Sequence, residues 1–286
     1  MTDAVSEAPV ARRPRGFWAR YAESPAAVAG ALMLLVALVL VVFAGQIAPA
    51  DPFAMMAAPL QPPGPGHWMG TDQLGRDILS QVIYGTRVSM GFALGAAALS
   101  FLLGGLFGAI PGYFGGIIDH VMSRLLEFFM MIPMLFLVIL MSALLGANIY
   151  VAAFVVGITI WPANARIIRA QVLSLKKRLF VRAARASGAG HMRVLFVHIL
   201  PNGIQPLIVN STLQVGAAIL LEASLSFLGL GDPNFVSWGQ MLREAQPYLS
   251  IRPTYSIFPG LAVGWLVVAV TLVGDGINSA LNRSRA

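Results

Sequence analysis

The chain has 286 residues, of which 57% are apolar and 11% carry a charge, and it contains no cysteine. This balance is that of a membrane protein, and the missing thiols exclude disulfides, thiolate catalysis and cysteine-built metal sites. The net charge of +7 and the pI near 10.4 do not require a nucleic-acid partner, because basic loops beside anionic lipid give the same totals.

Uncharged apolar runs in the sequence predict six membrane-spanning helices. A bilayer core of roughly 30 Å takes about 20 apolar residues per helix, so the run 128–165 is long enough for a helical hairpin that turns near Gly146. The runs lack the alternation of barrel strands, and backbone groups in hydrocarbon must be paired within a segment, so we expect an all-α membrane protein. The predicted spans are 28–48, 88–111, 128–146, 149–171, 204–227 and 257–276.

Basic residues predict which way the spans run. With six spans both termini lie on one side of the membrane, and that side carries most of the 19 Lys and Arg residues. The opposite side has only Arg76, Arg87, Arg243 and Arg252. The positive-inside rule therefore places both termini in the cytoplasm, with the N-terminal tail at 1–27.

The first apolar run resembles a signal peptide because a basic segment precedes it. It is longer than the apolar region of a typical signal peptide, and the segment that precedes it is also longer than in a typical signal peptide. We therefore expect a retained membrane anchor.

The first external loop, 49–87, is rich in Pro and Gly and cannot be a regular helix. Near its end, in GTDQLGRD, Thr71 or Asp72 is expected to cap a short helix, and Arg76 follows Asp72 by four residues, a spacing that favours an ion pair. One interpretation is a folded external cap, and the other is an outer gate or a docking surface for a delivered substrate. The candidate residues are Gly70, Thr71, Asp72, Gly75, Arg76 and Asp77.

The cytoplasmic segment of about 172–203, here called the hinge, is charged and lies between apolar runs. Residues 178–187 on a helix place arginines on one face and Ala183, Ala184 and other small residues on the other. Gly188 is suited to end that helix, and a second short helix is expected from 191 to 200, before Pro201. The small face favours docking of a partner protein, and an interfacial amphipathic helix is the alternative.

The fifth span carries the polar residues Asn210 and Gln214 and the acidic Glu222. Asn210 and Gln214 are candidates for a polar translocation path, or for hydrogen bonds between helices. A carboxylate within a span needs a reason, and Glu222 is expected either to form a capping or ion-pair contact near the external interface or to serve in a pathway or gate.

The second external loop, 229–252, is also broken by Gly and Pro and carries Phe235, Trp238 and Tyr248. Aromatic side chains at this level suit the membrane-interface belt. The alternative is contact with substrate.

The hinge sequence resembles the EAA loop of ABC-transporter permeases, whose consensus is EAA, three residues, Gly, nine residues, then I, any residue, L and P. Ala183, Ala184, Gly188, Leu200 and Pro201 match in place. Two positions depart from the consensus: Arg182 replaces the Glu and His198 replaces the Ile.

The chain is also similar to the C-type subunit of the dipeptide, oligopeptide and nickel branch of these permeases in two segments, GTDQLGRDILSQVIYGTRVS and EASLSFLGLGDPNFVSWGQML. The resemblance covers about 28–283. It implies a type I ABC importer permease domain over 28–286, located in the cytoplasmic membrane. It also implies a B-type permease partner, two ATPase domains and an external substrate-binding protein. The implied ATPase-coupling residues are Arg182, Ala183, Ala184, Arg185, Gly188, His198, Leu200, Pro201 and Asn202.

The resemblance implies a transporter subunit that is not itself an enzyme. The sequence has no Gly-Lys dipeptide and hence no phosphate-binding loop, so ATP and Mg are expected in partner subunits, with no cofactor or metal in this chain. A secondary transporter and a membrane enzyme are the alternatives, but midplane carboxylates with repeat symmetry and hydrolase motifs are not found. Short peptides are the expected substrate, with nickel chelates, glutathione or haem as alternatives.

Overall fold

Five long apolar helices and one bent helix pair dominate residues 16–282, the part of the chain that this computed structural model describes. The residues of the sidedness prediction that lie outside the described part are Arg12, Arg13, Arg15, Arg283 and Arg285. In chain order the helices are α1 (Phe17–Ala22), α2 (Pro25–Ile47), α3 (Ile78–Phe114), α4 (Gly116–Met131), α5 (Met134–Leu145), α6 (Ile149–Leu175), α7 (Leu179–Ala186), α8 (His191–Arg193), α9 (Leu200–Gly203), α10 (Gln205–Phe227), α11 (Trp238–Ala245) and α12 (Thr254–Asn282). A π-helical segment, Val194–Ile199, joins α8 to α9, and a 3-10 turn, Gln246–Tyr248, follows α11.

The prediction of an all-α membrane protein is confirmed, since α2, α3, α6, α10 and α12 are each long and apolar enough to cross a bilayer. The prediction of one helix over 128–146 for the third span is wrong, because this part of the chain forms two helices, α4 and α5, that meet at a bend of 75°. Pro133 supplies no N–H and disfavours helical geometry in the residue before it, and Ile132 accordingly has a ψ of 120°.

The second span starts earlier than the predicted residue 88. The Asp77 carboxylate accepts a hydrogen bond from the Ser80 N–H at 2.8 Å and caps α3, so that the helix begins at Ile78. The expected short helix capped by Thr71 or Asp72 is therefore wrong: residues 70–77 form turns that lead directly into α3.

Glycines allow α3 to pack closely along α6. A Cβ on Gly104 would lie 2.4 Å from the Asn164 Cβ, and one on Gly108 would lie 2.3 Å from the Ala165 carbonyl oxygen. Small residues four apart on one helix face are the usual means of bringing membrane helices together, because packing replaces the hydrophobic drive that lipid removes. These two glycines fix α3 and α6 as the centre of the bundle.

Helix α2 lies on the outside of the bundle, against α12 and α3. Its small residues Ala27, Ala37 and Ala44 are buried, while Leu32 and Val42 are more than half exposed. This one-sided burial is what a lipid-facing helix shows.

The bundle has two different ends. The loop end carries the loop cap, defined as residues 48–77 and 228–253, in which α11 lies. The hinge end carries α4 and the hinge, with α7 and the π-helical segment. The candidate functional residues are divided between these two ends and the interior of α10.

Candidate functional site

The first half of the hinge folds as the sequence predicts. Helix α7 ends at Ala186, and Gly188 has a φ of 82°, the left-handed conformation that glycine adopts without penalty. The Gly188 N–H donates to the Arg185 carbonyl at 3.0 Å, and the Ala189 N–H donates to the Ala184 carbonyl at 3.1 Å. This pair of bonds is a Schellman motif, and the prediction that Gly188 ends the helix is confirmed.

The second half of the hinge differs from the prediction. The helix does not end before Pro201 but continues from α8 through the π-helical segment to Gly203. In the π register the Leu200 N–H donates to the Leu195 carbonyl. Pro201 is the second residue of α9, which directly follows the π-helical segment.

Buried aliphatic side chains attach the hinge to the bundle. Val181 in α7 and Leu195 in the π-helical segment have no exposed surface. They pack in one cluster with Ile168 and Val172 of α6 and with Tyr113 of α3. A purely interfacial helix would bury its apolar face in lipid, whereas α7 directs Val181 into the protein.

The outward face of the hinge is open in the described chain. Leu179 is 81% exposed, and Arg182, Ala183 and Gly188 are exposed beside it, with Ala184 half-buried. Around Gly188 a Cβ would meet no atom within 4 Å. The hinge therefore presents a small-residue surface edged by cations.

The other predicted coupling residues lie around this surface. The Arg185 guanidinium carbon lies 5.3 Å from the centre of the Tyr113 ring, a cation–π contact that ties α7 to α3. Asn202 donates to the His198 carbonyl at 2.7 Å. His198 and Leu200 are half-buried, whereas Pro201 and Asn202 are exposed. Only Leu200 of these four packs against the inner aliphatic cluster.

At the loop end, Asp72 is the centre of a buried polar network. Its side chain has no exposed surface and accepts hydrogen bonds from the Leu74 N–H at 2.8 Å and the Arg76 N–H at 2.9 Å. The Arg76 guanidinium pairs with the same carboxylate, and Gln81 of α3 donates to it at 2.8 Å. The predicted ion pair between Asp72 and Arg76 is confirmed.

The remaining residues of GTDQLGRD fold the loop. Thr71 accepts from the Gln61 N–H and donates to the Ala58 carbonyl, both at 2.8 Å. Gly70 and Gly75 have φ values of 81° and 77°, and a Cβ on either would lie within 2.4 Å of a carbonyl oxygen. These contacts are those of a rigid cap. They do not test whether this loop acts as an outer gate or as a docking surface, so both interpretations stay predictions.

Sequence reasoning missed the partner of Arg76 in the distant half of the chain. The Arg76 guanidinium donates to Glu244 of α11 at 2.7 Å, and Gln73 donates to the same carboxylate at 2.8 Å. Burial by itself would lower the pKa of Arg76, but the Asp72 and Glu244 carboxylates outweigh it and hold that pKa above its ordinary value. Glu244 is the one acid of REAQPY, a signal too weak to select it without the fold.

The polar residues of α10 join helices inside the bundle. Asn210 donates to the Asn164 side chain of α6 at 2.8 Å, and Asn164 donates to Gln214 at 2.8 Å and to Ser100 of α3 at 3.0 Å. Asn164, which sequence reasoning missed, is wholly buried. The network matches the expected hydrogen bonds between helices. Gln214 also lines a cavity of about 260 Å³ beside Leu221, so a path role stays a prediction.

Glu222 is enclosed near the loop end of α10, with 2% of its surface exposed. Ser89 of α3 donates to it at 2.9 Å, and Ser226 donates at 2.8 Å. Among the described residues, hydroxyl groups and no cation lie against this carboxylate, so the expected ion pair is not formed.

One expected member of the aromatic belt is in the core. Trp238 is 1% exposed, its ring lies on Gly85 of α3, and its indole N–H donates to the Val82 carbonyl at 2.9 Å. The belt prediction is wrong for this residue, because the missing side chain of Gly85 leaves room for the indole. Phe235 is half-buried and meets the ring of Tyr150 at 6.1 Å.

Comparisons with known proteins agree with this architecture. A family model described as "Binding-protein-dependent transport system inner membrane component" matches residues 102–286. Among solved structures, a chain of the MetNI methionine ABC transporter in an inward-facing conformation superposes with a TM-score of 0.53 at 19% identity. The match covers 70% of this chain and 96% of that one, and it shows a shared fold.

Curated relatives match along nearly the whole chain. The glutathione transport system permease protein GsiD of Pectobacterium atrosepticum is 35% identical, over 94% of this chain and 90% of its own. The dipeptide transport system permease protein DppC of Haemophilus influenzae is also 35% identical, over 97% and 98%. The chain therefore belongs to the binding-protein-dependent transport system inner membrane components, as a permease subunit of an ABC importer.

Proposed function

We propose that this permease subunit carries short peptides inward across the cytoplasmic membrane, driven by separate ATPase subunits that dock on the hinge. The observation that carries the proposal is the geometry of α7. One face is anchored in the bundle through Val181, and the opposite face is exposed around Ala183 and Gly188.

The hinge is suited to relay force because it is rigidly joined to three long helices. The aliphatic cluster fixes it to α3 and α6, and α9 leads through the single residue Ile204 into α10. A push on α7 would therefore move all three helices together. Alternating access would follow as closure of the ATPase pair shifts the two permease subunits between inward-open and outward-open states. ATP and Mg would be bound in those ATPase subunits.

The cytoplasmic position of the hinge and of both termini is supported by charge. The hinge end carries Arg166, Arg169, Lys176 and Lys177 in addition to the arginines of α7. Basic residues near span ends favour the cytoplasmic side. In this chain Arg182 replaces the acid of the family consensus. The ATPase surface that docks on the hinge would therefore be acidic.

A second permease subunit of the B type is the proposed partner within the membrane. The bent pair α4 and α5 exposes large apolar side chains, with Phe128 at 61%, Met131 at 78% and Phe136 at 62%. Among the described elements α5 packs mainly on α6, which leaves this face to a partner helix or to lipid. The folded loop cap would receive the extracytoplasmic binding protein.

Short peptides are the proposed substrate because the curated relatives are named for dipeptide and glutathione transport, and glutathione is itself a short peptide. Nickel chelates and haem are the alternative cargoes. The ligand that co-purifies with the external binding protein decides between them. A peptide supports the proposal, and nickel or haem redirects it within the same transporter class.

The coupling proposal is tested with Ala183→Trp and its small control Ala183→Ser in the reconstituted importer. Ala183 is exposed on α7, so the indole leaves the fold intact but holds the docked surfaces apart. We expect Ala183→Trp to abolish peptide uptake and co-purification of the ATPase subunits, and Ala183→Ser to keep both. Normal uptake by the Trp variant would refute docking at this face.

A further inference from the structure

Glu222 joins three elements that meet beneath the loop cap. Its carboxylate accepts hydrogen bonds from Ser89 of α3 and from Ser226 of α10, and the Ser237 hydroxyl lies against it in the same small cavity. Ser237 is the N-cap of α11 and accepts from the Gln240 N–H at 3.2 Å. A carboxylate is expensive to bury without partners, so the hydroxyl groups of α3, of α10 itself and of the α11 N-cap stabilise it only while these elements stay in place.

The backbone around Glu222 is packed as tightly as its side chain. A Cβ on Gly239 would lie 2.2 Å from the Ala223 carbonyl oxygen, so α11 rests directly on α10. Helix α11 in turn holds Glu244, which pairs with Arg76 of the loop cap at 2.7 Å. The chain of contacts within the loop cap therefore runs from Arg76 through α11 to Glu222.

From Glu222 the same contacts lead to the hinge. Helix α10 begins at Gln205, one residue after α9, so its two ends hold the hinge and Glu222. A rigid helix with buried, directional hydrogen bonds at one end transmits a displacement to the other, because an unpaired polar group in the interior is costly.

We propose that Glu222 is a positioning residue of the transport cycle, which passes the state of the loop cap along α10 to the hinge through its hydrogen bond from Ser89 and its contact with Ser237. This inference rests on the proposed function, in which the loop cap receives the binding protein and the ATPase subunits dock on the hinge.

The test measures ATP hydrolysis by the complete reconstituted importer as the binding protein is titrated. For Glu222→Gln we expect the maximal stimulation to fall about tenfold, within the usual range of coupling between sites, with the half-saturating concentration of binding protein unchanged. Glu222→Asp should restore part of the stimulation. Ser89→Ala, which removes one hydroxyl, provides a milder variant if Glu222→Gln does not assemble, and should lower the maximum in the same way.

Asp275→Asn is the matched control, because Asp275 is an exposed acid near the end of α12, away from Glu222 in α10. The Asp275→Asn importer should keep full stimulation. A raised half-saturating concentration would assign Glu222 to the shape of the docking surface and overturn the inference. An unchanged maximum in both Glu222→Gln and Ser89→Ala would overturn it as well. If the unaltered importer shows no coupling between binding protein and hydrolysis, the proposed function fails instead.

Discussion

The two ends of the bundle are built in opposite ways. At the loop end, Asp72, Arg76 and Glu244 satisfy one another in a network that buries Asp72 completely. At the hinge end, Val181 and Leu195 anchor the segment, while the outward face exposes alanines, glycines and arginines. One end is held by polar contacts within the chain, and the other mainly by aliphatic packing on its inner side, beside the cation–π contact of α7 with α3.

The difference indicates where the protein acts as a scaffold and where it meets a moving partner. A buried network of charges holds one arrangement, because losing a member leaves the remaining buried groups with fewer partners. An aliphatic anchor beneath an exposed face fixes a segment without fixing what binds to it. The contrast yields four predictions on stability, in order of expected size.

Removing the centre of the loop-cap network should have the largest effect. Asp72→Ala leaves the Arg76 guanidinium without one of its two carboxylates and Gln81 without its acceptor, which we expect to cost about 3–5 kcal/mol. Thermal unfolding of the purified protein in detergent measures it. Glu127→Ala, which breaks an exposed pair with Arg124, should cost at most about 1 kcal/mol. Equal losses would contradict the proposed stiffness of the loop end.

The hinge anchor is tested within one segment. Leu195 has no exposed surface, while Val197, two residues on, is 59% exposed. Leu195→Ala should lower the free energy of unfolding by about 2–5 kcal/mol, as for other buried leucines, and Val197→Ala should change it little. Protease cleavage of the hinge should accelerate only for Leu195→Ala. Equal cleavage of both variants would mean that the cluster does not hold the hinge.

The contact between α3 and α6 connects the two ends, and adjacent glycines of α3 test it. A Cβ on Gly108 would lie 2.3 Å from the Ala165 carbonyl oxygen, whereas one on Gly105 has no atom nearer than 3.5 Å. Gly108→Ala should destabilise the bundle by about 1–3 kcal/mol through overpacking. Gly105→Ala should leave the melting temperature unchanged or raise it. The reverse order would contradict the packing.

The smallest effect is expected for the polar network inside the bundle. Asn164→Ala removes one hydrogen bond each from Asn210 and Ser100, although Ser100 still donates to α10. The loss should cost about 0.6–2 kcal/mol, the range for hydrogen bonds between membrane helices. Thr212→Val is the control, since Thr212 donates only within α10, to the Ile208 carbonyl at 2.9 Å. If the melting temperature falls as much for Thr212→Val, the hydrogen bonds between the helices do not stabilise the bundle as predicted.

The sequence was sufficient for the features that depend on local chemistry. Apolar runs predicted where the spans lie, and Gly188 predicted the end of α7, because length and left-handed geometry are set within a few residues. The break at Pro133 was also readable, since proline disfavours helix in the residue before it. The prediction of one helix over 128–146 overlooked it.

Contacts between distant segments could not be read. Arg76 and Glu244 are 168 residues apart, and Asn164 meets Asn210 only because glycines bring α3 against α6 and α10 packs beside them. Trp238 had the sequence signal of an interface aromatic, and its burial depends on the absent side chain of Gly85. In each case the deciding partner lies on another helix.

The absence of cysteine from the chain permits a direct test of the central claim, that the exposed face of α7 is seated in an ATPase subunit. A single cysteine at Ala183 is introduced in the assembled importer and treated with a short thiol-to-amine crosslinker. We predict a covalent product with the ATPase subunit, and none from a cysteine at Leu32, which is 58% exposed on α2. An assembled, transporting importer that gives no such product at Ala183 would contradict the account.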